Sequence, residues 1–377
     1  YDHGVIHVRD ASRSVGVCSS LLDGKSKTDF LKGIKSQYEV LRQEFTRKQG
    51  KRHLLTLDES RERALKIAWN PADIVKPARF GVQTFKNHDL AQIASMIDWV
   101  PFFPTWELKG KYPKIFDDPK IGVEAKKVFN DAQVMLKTII KEKWLKANAV
   151  VGLFPANSVG DDVEVYADDS RKKIIATFYT LRQQSDKQDG RPNYALSDFI
   201  ASKDSGLKDY IGAFAVSAGF GVDEKAAEFL KQHDDYNAIM IKALADRLAE
   251  AFAELMHKRV RRELWGYASH ETLNVEELIQ EKYQGVRPAP GYPSQPDHTE
   301  KRTIFDLLKA ADNTGIQLTE SLAMWPASSV SGLYLAHPES KYFALDKIGK
   351  DQAEDYARRK GMPLAEIEKW LAPNLVY

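Results

Sequence analysis

At 377 residues, with 43% hydrophobic and 29% charged side chains, the chain has the make-up of a globular protein with one large or two ordinary domains. Lys and Arg number 55 against 53 Asp and Glu, a net charge of +2 that is too balanced for a nucleic-acid footprint. Cys18 is the only cysteine, so an intrachain disulfide and a thiolate metal cage are excluded. That usage predicts a cytoplasmic protein, and neither a membrane-spanning apolar run nor a signal peptide is present.

The opening of the chain is uneven. Val5-Ile6-His7-Val8 alternates as a short strand, and residues 14–22 read as a helix start rich in small side chains. Tyr1 falls in the middle of this strand-like start, so the sequence reads as a piece of a longer chain. Phe30, Ile34, Tyr38, Leu41 and Phe45 form one stripe of a charged amphipathic helix over residues 28–45. One strand and two helices cannot bury a core alone, so this portion is either a decoration of the main domain or the end of a preceding α/β domain. Arg47-Lys48-Gln49-Gly50-Lys51-Arg52 then reads as a short basic linker.

The body that follows mixes strands and helices without a βαβ rhythm. A helix is predicted over residues 122–136. Residues 150–154, 163–166 and 174–178 are strand-like and closely spaced, as in an antiparallel meander. Residues 211–216 form a further strand. Ala218-Gly219-Phe220-Gly221 after it lacks the third glycine of a nucleotide-binding fingerprint and reads as a surface turn. The longest helix runs from about His233 to Leu264, with Met240, Leu244, Leu248, Phe252 and Leu255 on its core face. Residues 332–336 and 342–345 are strand candidates, and a helix over 351–360 is stopped by Gly361. The fold class is α+β: one large domain with a twisted, mainly antiparallel sheet and surrounding helices, one of them long.

Familiar catalytic motifs are missing. The nine histidines form no HExxH pair, and neither a GxxxxGK[ST] phosphate loop nor a GxSxG elbow occurs. Asp161-Asp162 and Asp234-Asp235 read as capping and solvated acids. Asp246 and Glu250 lie one turn apart on the long helix with Arg247 between them, a spacing that by itself describes a solvated face. Nothing resembles hydrolytic or general acid–base machinery.

The most informative stretch is Gly285-Val286-Arg287-Pro288-Ala289-Pro290-Gly291-Tyr292-Pro293. Three prolines and two glycines in nine residues dictate a stiff loop rather than a helix or central strand. Such a loop loses little entropy on ordering, so its groups can be pre-placed for a ligand. Arg287 offers a planar fork suited to a carboxylate or phosphate. A proline-rich connector with a solvated Arg would read the same way.

Several runs carry a resemblance that covers the whole chain: Ile97-Asp98-Trp99-Val100-Pro101-Phe102-Phe103, Val151-Gly152-Leu153-Phe154-Pro155-Ala156-Asn157, His233-Asp234-Asp235-Tyr236, Ala243-Leu244-Ala245-Asp246-Arg247-Leu248-Ala249-Glu250, the Arg287 loop, Thr319-Glu320-Ser321 and Met324-Trp325-Pro326. In this order they resemble the C-terminal activation domain of cobalamin-dependent methionine synthases. The resemblance implies a domain that binds S-adenosylmethionine and presents its methyl group to cob(I)alamin, rescuing an enzyme caught in the inactive cob(II) state. That methyltransferase moves a methyl group from methyltetrahydrofolate to homocysteine, and the rescuing electron comes from flavodoxin or a related flavoprotein. Displacement at a sulfonium needs no proton transfer, so the implied task is positioning, and no residue is assigned as catalytic.

The resemblance further implies that residues 1–32 are the end of a cobalamin-binding domain, 33–50 a linker helix and basic linker, and 51–377 the activation domain. The cobalamin-ligand signature Asp-Xaa-His-Xaa-Xaa-Gly is absent, since Asp2-His3-Gly4 has the wrong spacing. Cobalamin is therefore expected on the preceding domain of the same polypeptide, with no metal ligand here. By motif, Asp98 matches the acid for the ligand's ammonium and Arg287 the group for its carboxylate. Ala289 supplies backbone groups, Tyr292 ends the loop, Glu250 borders the site, and Tyr342 lies at it. Phe343 stands where the family usually has a second Tyr, which removes a hydroxyl. Asp246 and Arg247 match residues facing the displaced cobalt-ligand histidine, and Ala11 a corrin-contacting position. Two other classes stay open: a free-standing S-adenosylmethionine sensor, and an independent methyltransferase, which would need a glycine-rich first strand-turn that is lacking.

Overall fold

The structure, a computed structural model, describes residues 5–8, 11–49, 54–187 and 189–377. The strands are β1 (Gly81–Phe85), β2 (Lys146–Val159), β3 (Asp162–Tyr166), β4 (Ile174–Tyr179), β5 (Asp209–Phe220), a small pair β6 (Gln317–Leu318) and β7 (Met324–Trp325), and β8 (Ser329–Tyr334). The main sheet has six strands in the order β4-β3-β2-β5-β8, with β1 also on β2. Every pair in it is antiparallel. β2 is long enough to hold β1 and then β3 along one edge while β5 runs along the other.

Alternation along the strands divides their side chains between two cores. Val151, Leu153, Phe214 and Val216 join a large cluster with Met240, Leu244, Leu248 and Phe252 of the long helix. Val150, Phe154, Ile211 and Ala213 join Ile304, Phe305 and Leu308 on the opposite face. With both faces covered, the central strands β2 and β5 are buried at nearly every position, which is why their apolar stretches read as unbroken runs. A third cluster, including Leu345, Ile348, Tyr356 and Ile367, lies under the helices Lys350–Lys360 and Leu364–Leu371.

The α+β expectation holds, and the meander of β2, β3 and β4 is present. The long helix spans Asp235–Arg259, and a π turn, Val260–Leu264, carries it to the expected end. Asp234 caps it by accepting the Asn237 N–H at 3.0 Å, satisfying a donor the helix leaves open. The helix expected over 122–136 continues to Glu142. Ala11–Leu22 and Lys27–Gln49 are helices that pack on each other. The expected boundary at residue 51 lies outside the described residues, as do Asp2-His3-Gly4.

Four readings need correction. Residues 5–8 are not a strand; they have no ladder partner among the described residues, and the His7 N–H donates to the Tyr38 hydroxyl at 2.9 Å instead. Residues 342–345 are not a strand either, because the outer edge of β8 is already taken: Val286 and Leu335 bridge there, and the Leu333 N–H donates to the Pro288 carbonyl. Ala218, Gly219 and Phe220 end β5 rather than forming a surface turn, and Gly221, at φ +98°, turns the chain into the helix Val222–Lys231. A side chain would strain that left-handed backbone. Finally, Asp161 and Asp162 are buried, not solvated, and each meets an arginine.

Candidate ligand-binding site

The proline-rich loop is fixed to the sheet before any ligand arrives. The Val286 N–H donates to the Leu335 carbonyl at 2.9 Å, the Leu335 N–H returns the bond at 3.0 Å, and the Leu333 N–H reaches Pro288 at 2.8 Å. Gly332 makes this approach possible, since a Cβ there would stand 2.6 Å from the Pro288 carbonyl oxygen. Farther on the loop closes on itself, with the Gly291 N–H on the Gln295 carbonyl at 2.7 Å and the Tyr292 N–H on Ala289 at 3.2 Å. The Ala289 N–H has no partner among the described residues.

Between this loop, β5, β8 and the long helix lies a cavity of about 510 Å³, within the roughly 300–1,000 Å³ of small-molecule sites. Its apolar walls are Phe214, Val330, Pro288 and Pro293, and its charges are Arg287, Glu250 and Glu281. Tyr342 and Phe343 complete one side, with the Tyr342 hydroxyl accepting the Arg287 backbone N–H at 3.0 Å.

The Arg287 guanidinium is mostly buried and held at one nitrogen. Its Nη1 lies 2.6 Å from Glu254 Oε2, 2.7 Å from the Tyr283 hydroxyl and 3.3 Å from His257 Nδ1. Nε and Nη2 have no partner among the described residues. Burial opposes the charge of Arg287, but the adjacent Glu254 carboxylate, together with Tyr283, Tyr342 and Tyr334, offsets it and holds the guanidinium more firmly protonated than usual. His257 is pushed the other way, well below its ordinary 6.5, by burial and then by Arg261 and Arg287. A guanidinium only donates, so Nδ1 of this neutral ring is the acceptor and the proton sits on Nε2, toward the Tyr267 hydroxyl at 3.4 Å. Burial also raises the Glu281 carboxyl, partly countered by Arg287.

Residues 89–361 match the family described as vitamin B12 dependent methionine synthase, activation domain. A solved structure described as the MetH reactivation domain bound to AdoHcy is 54% identical, with a TM-score of 0.83, covering 86% of this chain and 99% of that one. The chain belongs to the methionine synthase activation-domain family. Membership makes this activation domain part of a cobalamin-dependent methyltransferase and implies a cobalamin domain in the same polypeptide.

Of the positions matched by motif, the activation domain brings Glu250, Arg287, Ala289, Tyr292, Tyr342 and Phe343 to one cavity. Asp98 is not among the lining residues. It precedes the 3-10 segment Val100–Trp106, which packs on the long helix, and its Oδ1 accepts the Val100 N–H at 2.9 Å. Asp246 and Arg247 lie one turn before Glu250; Asp246 is exposed and accepts the Ser328 hydroxyl at 2.6 Å. Arg247 works against the upward shift that burial and then Glu250 impose on the Tyr292 phenol. Phe343 is anchored by its ring, 5.7 Å from that of Tyr194 and 6.5 Å from that of Phe199. Ala11 opens the helix Ala11–Leu22. Sequence reading missed Glu281 and Glu254. The signal for Glu254 was present: it extends the i, i+4 row of Asp246 and Glu250 by one more turn.

Among the described residues, no group of three or more His, Cys, Asp and Glu could hold a metal ion, and no helix is long and apolar enough to cross a membrane.

Proposed function

We propose that the cavity binds S-adenosylmethionine and holds its methyl group toward cobalamin carried by the preceding domain. The observation that carries this reading is the pairing of a guanidinium with two unused donor nitrogens and a rim of carboxylates. S-adenosylmethionine presents a carboxylate, an ammonium and a sulfonium, one anion and two cations. Arg287 takes the carboxylate through Nε and Nη2, a charge-assisted fork. Glu250 and Glu281 give the cavity a negative wall suited to a sulfonium, and Asp98, which lies outside the cavity lining, is assigned to the ammonium by its motif match alone. Ala289 contributes its unpartnered N–H, while Tyr292, Tyr342 and Phe343 flank the ligand.

Cobalamin, when bound by its own domain, supplies the nucleophile for methyl transfer. The present residues orient the donor and exclude water, and none moves a proton. Asp246 and Arg247 belong on the side facing the cobalamin domain, consistent with the exposure of Asp246, and Ala11 is a corrin-contacting position of that domain's own end. Residues 1–32 are read as the end of that domain and 51–377 as the activation domain proper. An electron from flavodoxin or a related flavoprotein completes the rescue, in the cytoplasm. The chain alone binds the ligand without turning over.

Calorimetry with S-adenosylmethionine tests the assignment. Arg287→Ala and Asp98→Asn are each expected to weaken binding by roughly 1.5–3 kcal/mol, the worth of a charge-assisted contact, with the fold retained. Unchanged affinity in both variants would sink it. Efficient methylation of a small acceptor by the isolated chain would favour an independent methyltransferase.

A further inference from the structure

Behind the cavity wall, the long helix carries polar side chains that a ligand in the cavity does not require. Glu250, Glu254, His257 and Arg261 follow one another at helical spacing on one face. Glu250 reaches the cavity; the next three are buried, Arg261 completely. Two guanidinium groups, Arg261 buried and Arg287 half-buried, thus flank Glu254. Arg261 already has a full partner, with Nε 2.7 Å and Nη2 3.0 Å from the Glu271 carboxylate, and its Nη2 is 3.7 Å from Glu254 Oε1. Arg287 has no ion-pair partner among the described residues other than Glu254.

The contacts on Arg287 are directional. Glu254 Oε2, the Tyr283 hydroxyl and His257 Nδ1 converge on Nη1. A planar guanidinium gripped at one terminal nitrogen has its plane and its free edge fixed, and the free edge here is Nε with Nη2, which matches the two oxygens of a carboxylate. An arginine on a flexible stem without such a grip would lose side-chain entropy on every binding event. The other polar contacts on Nη1 come from uncharged groups, so Glu254 supplies the only charge in the grip.

We propose that Glu254 is a positioning residue: it holds Arg287 by Nη1 so that the Nε–Nη2 edge faces the cavity and receives the carboxylate of the ligand. This rests on the reading of the cavity as an S-adenosylmethionine site. Glu254 never touches the ligand and acts only through Arg287.

Calorimetry with S-adenosylmethionine and with its decarboxylated form separates this from a purely structural role. If the parent chain binds neither, the functional reading fails and the inference falls with it. If the parent binds, Glu254→Gln is expected to weaken S-adenosylmethionine by about 10-fold to 100-fold, the worth of one charge-assisted contact. The decarboxylated ligand should change by no more than about twofold, within the scatter of such comparisons. Equal losses for both ligands, or no loss for either, would overturn the proposal. Should Glu254→Gln fail to fold because it strands a buried cation, the charge-neutral pair Glu254→Gln with Arg287→Gln replaces it. That double variant should bind S-adenosylmethionine as weakly as Arg287→Gln alone, since Glu254 has nothing left to position; a further additive loss would overturn the proposal.

Discussion

Two arginines show how the same chemistry serves two ends. Arg182, beneath the C-terminal helices, uses every terminal nitrogen: Nε on Asp161 at 2.8 Å, Nη1 on Asn193 and Asp198 at 2.7 and 2.8 Å, and Nη2 on Asp198 at 2.7 Å. Around it Arg61 joins Asp161 to Asp355, Arg359 reaches Asp162 and Asp355, and Lys360 meets Asp297 and Glu300. This clasp ties the helix Lys350–Lys360 to β3 and β4. Arg287 is half-buried, and the partners of its guanidinium all share Nη1. A saturated arginine fastens structure, whereas an unsaturated one has donors left for something that is not part of the chain. The bonding capacity left over, rather than charge, separates the two regions.

The largest expected effect tests that distinction on the saturated side. Arg182→Ala would leave Asp198 buried without its counter-charge and Asp161 with Arg61 alone, a loss of about 3–5 kcal/mol. Urea unfolding measures it, and S-adenosylmethionine affinity in the folded fraction should be unchanged. Arg287→Ala is expected to do the reverse: most of its effect should appear in affinity rather than in unfolding, because Arg261 remains close to the stranded Glu254. A variant in which both quantities fell together would erase the contrast.

Acidity offers a subtler separation, because one group in each region, Glu300 and His257, contributes to pH-dependent stability with opposite sign. In the clasp, burial raises Glu300 to about 7 from an ordinary 4.5, and Lys360 only partly offsets this. The folded chain therefore binds that proton more tightly than the unfolded chain, so this contribution to stability falls as pH rises from about 4.5 to about 7. Glu300→Gln should flatten that slope. Behind the cavity, His257 has its pKa lowered, so the unfolded chain binds the extra proton and stability falls as pH drops below 6.5. His257→Gln should remove its share of the acid-side loss and leave the alkaline side unchanged. Urea midpoints over pH 5 to 8 read both; identical slopes in parent and variants would refute the assignment.

Asp246→Asn marks the smallest effect. Asp246 is exposed and held by one hydroxyl, so stability should change by no more than about 0.5 kcal/mol. In the full-length enzyme the same variant should slow recovery of inactivated cofactor while sparing primary turnover. Equal recovery rates in variant and parent would return Asp246 to an ordinary surface acid.

What could be read from the sequence follows the range of the physics involved. β2 and β5 were legible because a strand buried on both faces is apolar throughout, and the long helix because its core stripe repeats locally. The Arg287 loop was legible because proline and glycine act at their own positions. Glu254 was not, since an acid in a helical row looks the same whether its partner is water or an arginine brought in by tertiary structure. Asp161 and Asp162 escaped for the same reason. Residues 342–345 have strand character, but a neighbour had already taken the edge they would have joined, and such competition leaves no local mark.

The seat of the Arg287 loop on β8 has a consequence for self-association. An open strand at the margin of a sheet invites pairing with another molecule. Here that margin is covered by a segment in which Pro288 and Pro290 have no N–H to offer, and the Arg287 N–H is already given to Tyr342. A stray strand arriving at this side would find few donors with which to extend the ladder. The loop that waits for a ligand is also a terminator, and loosening it by replacing its prolines would open the sheet to edge-to-edge pairing as well as blur the placement of Arg287.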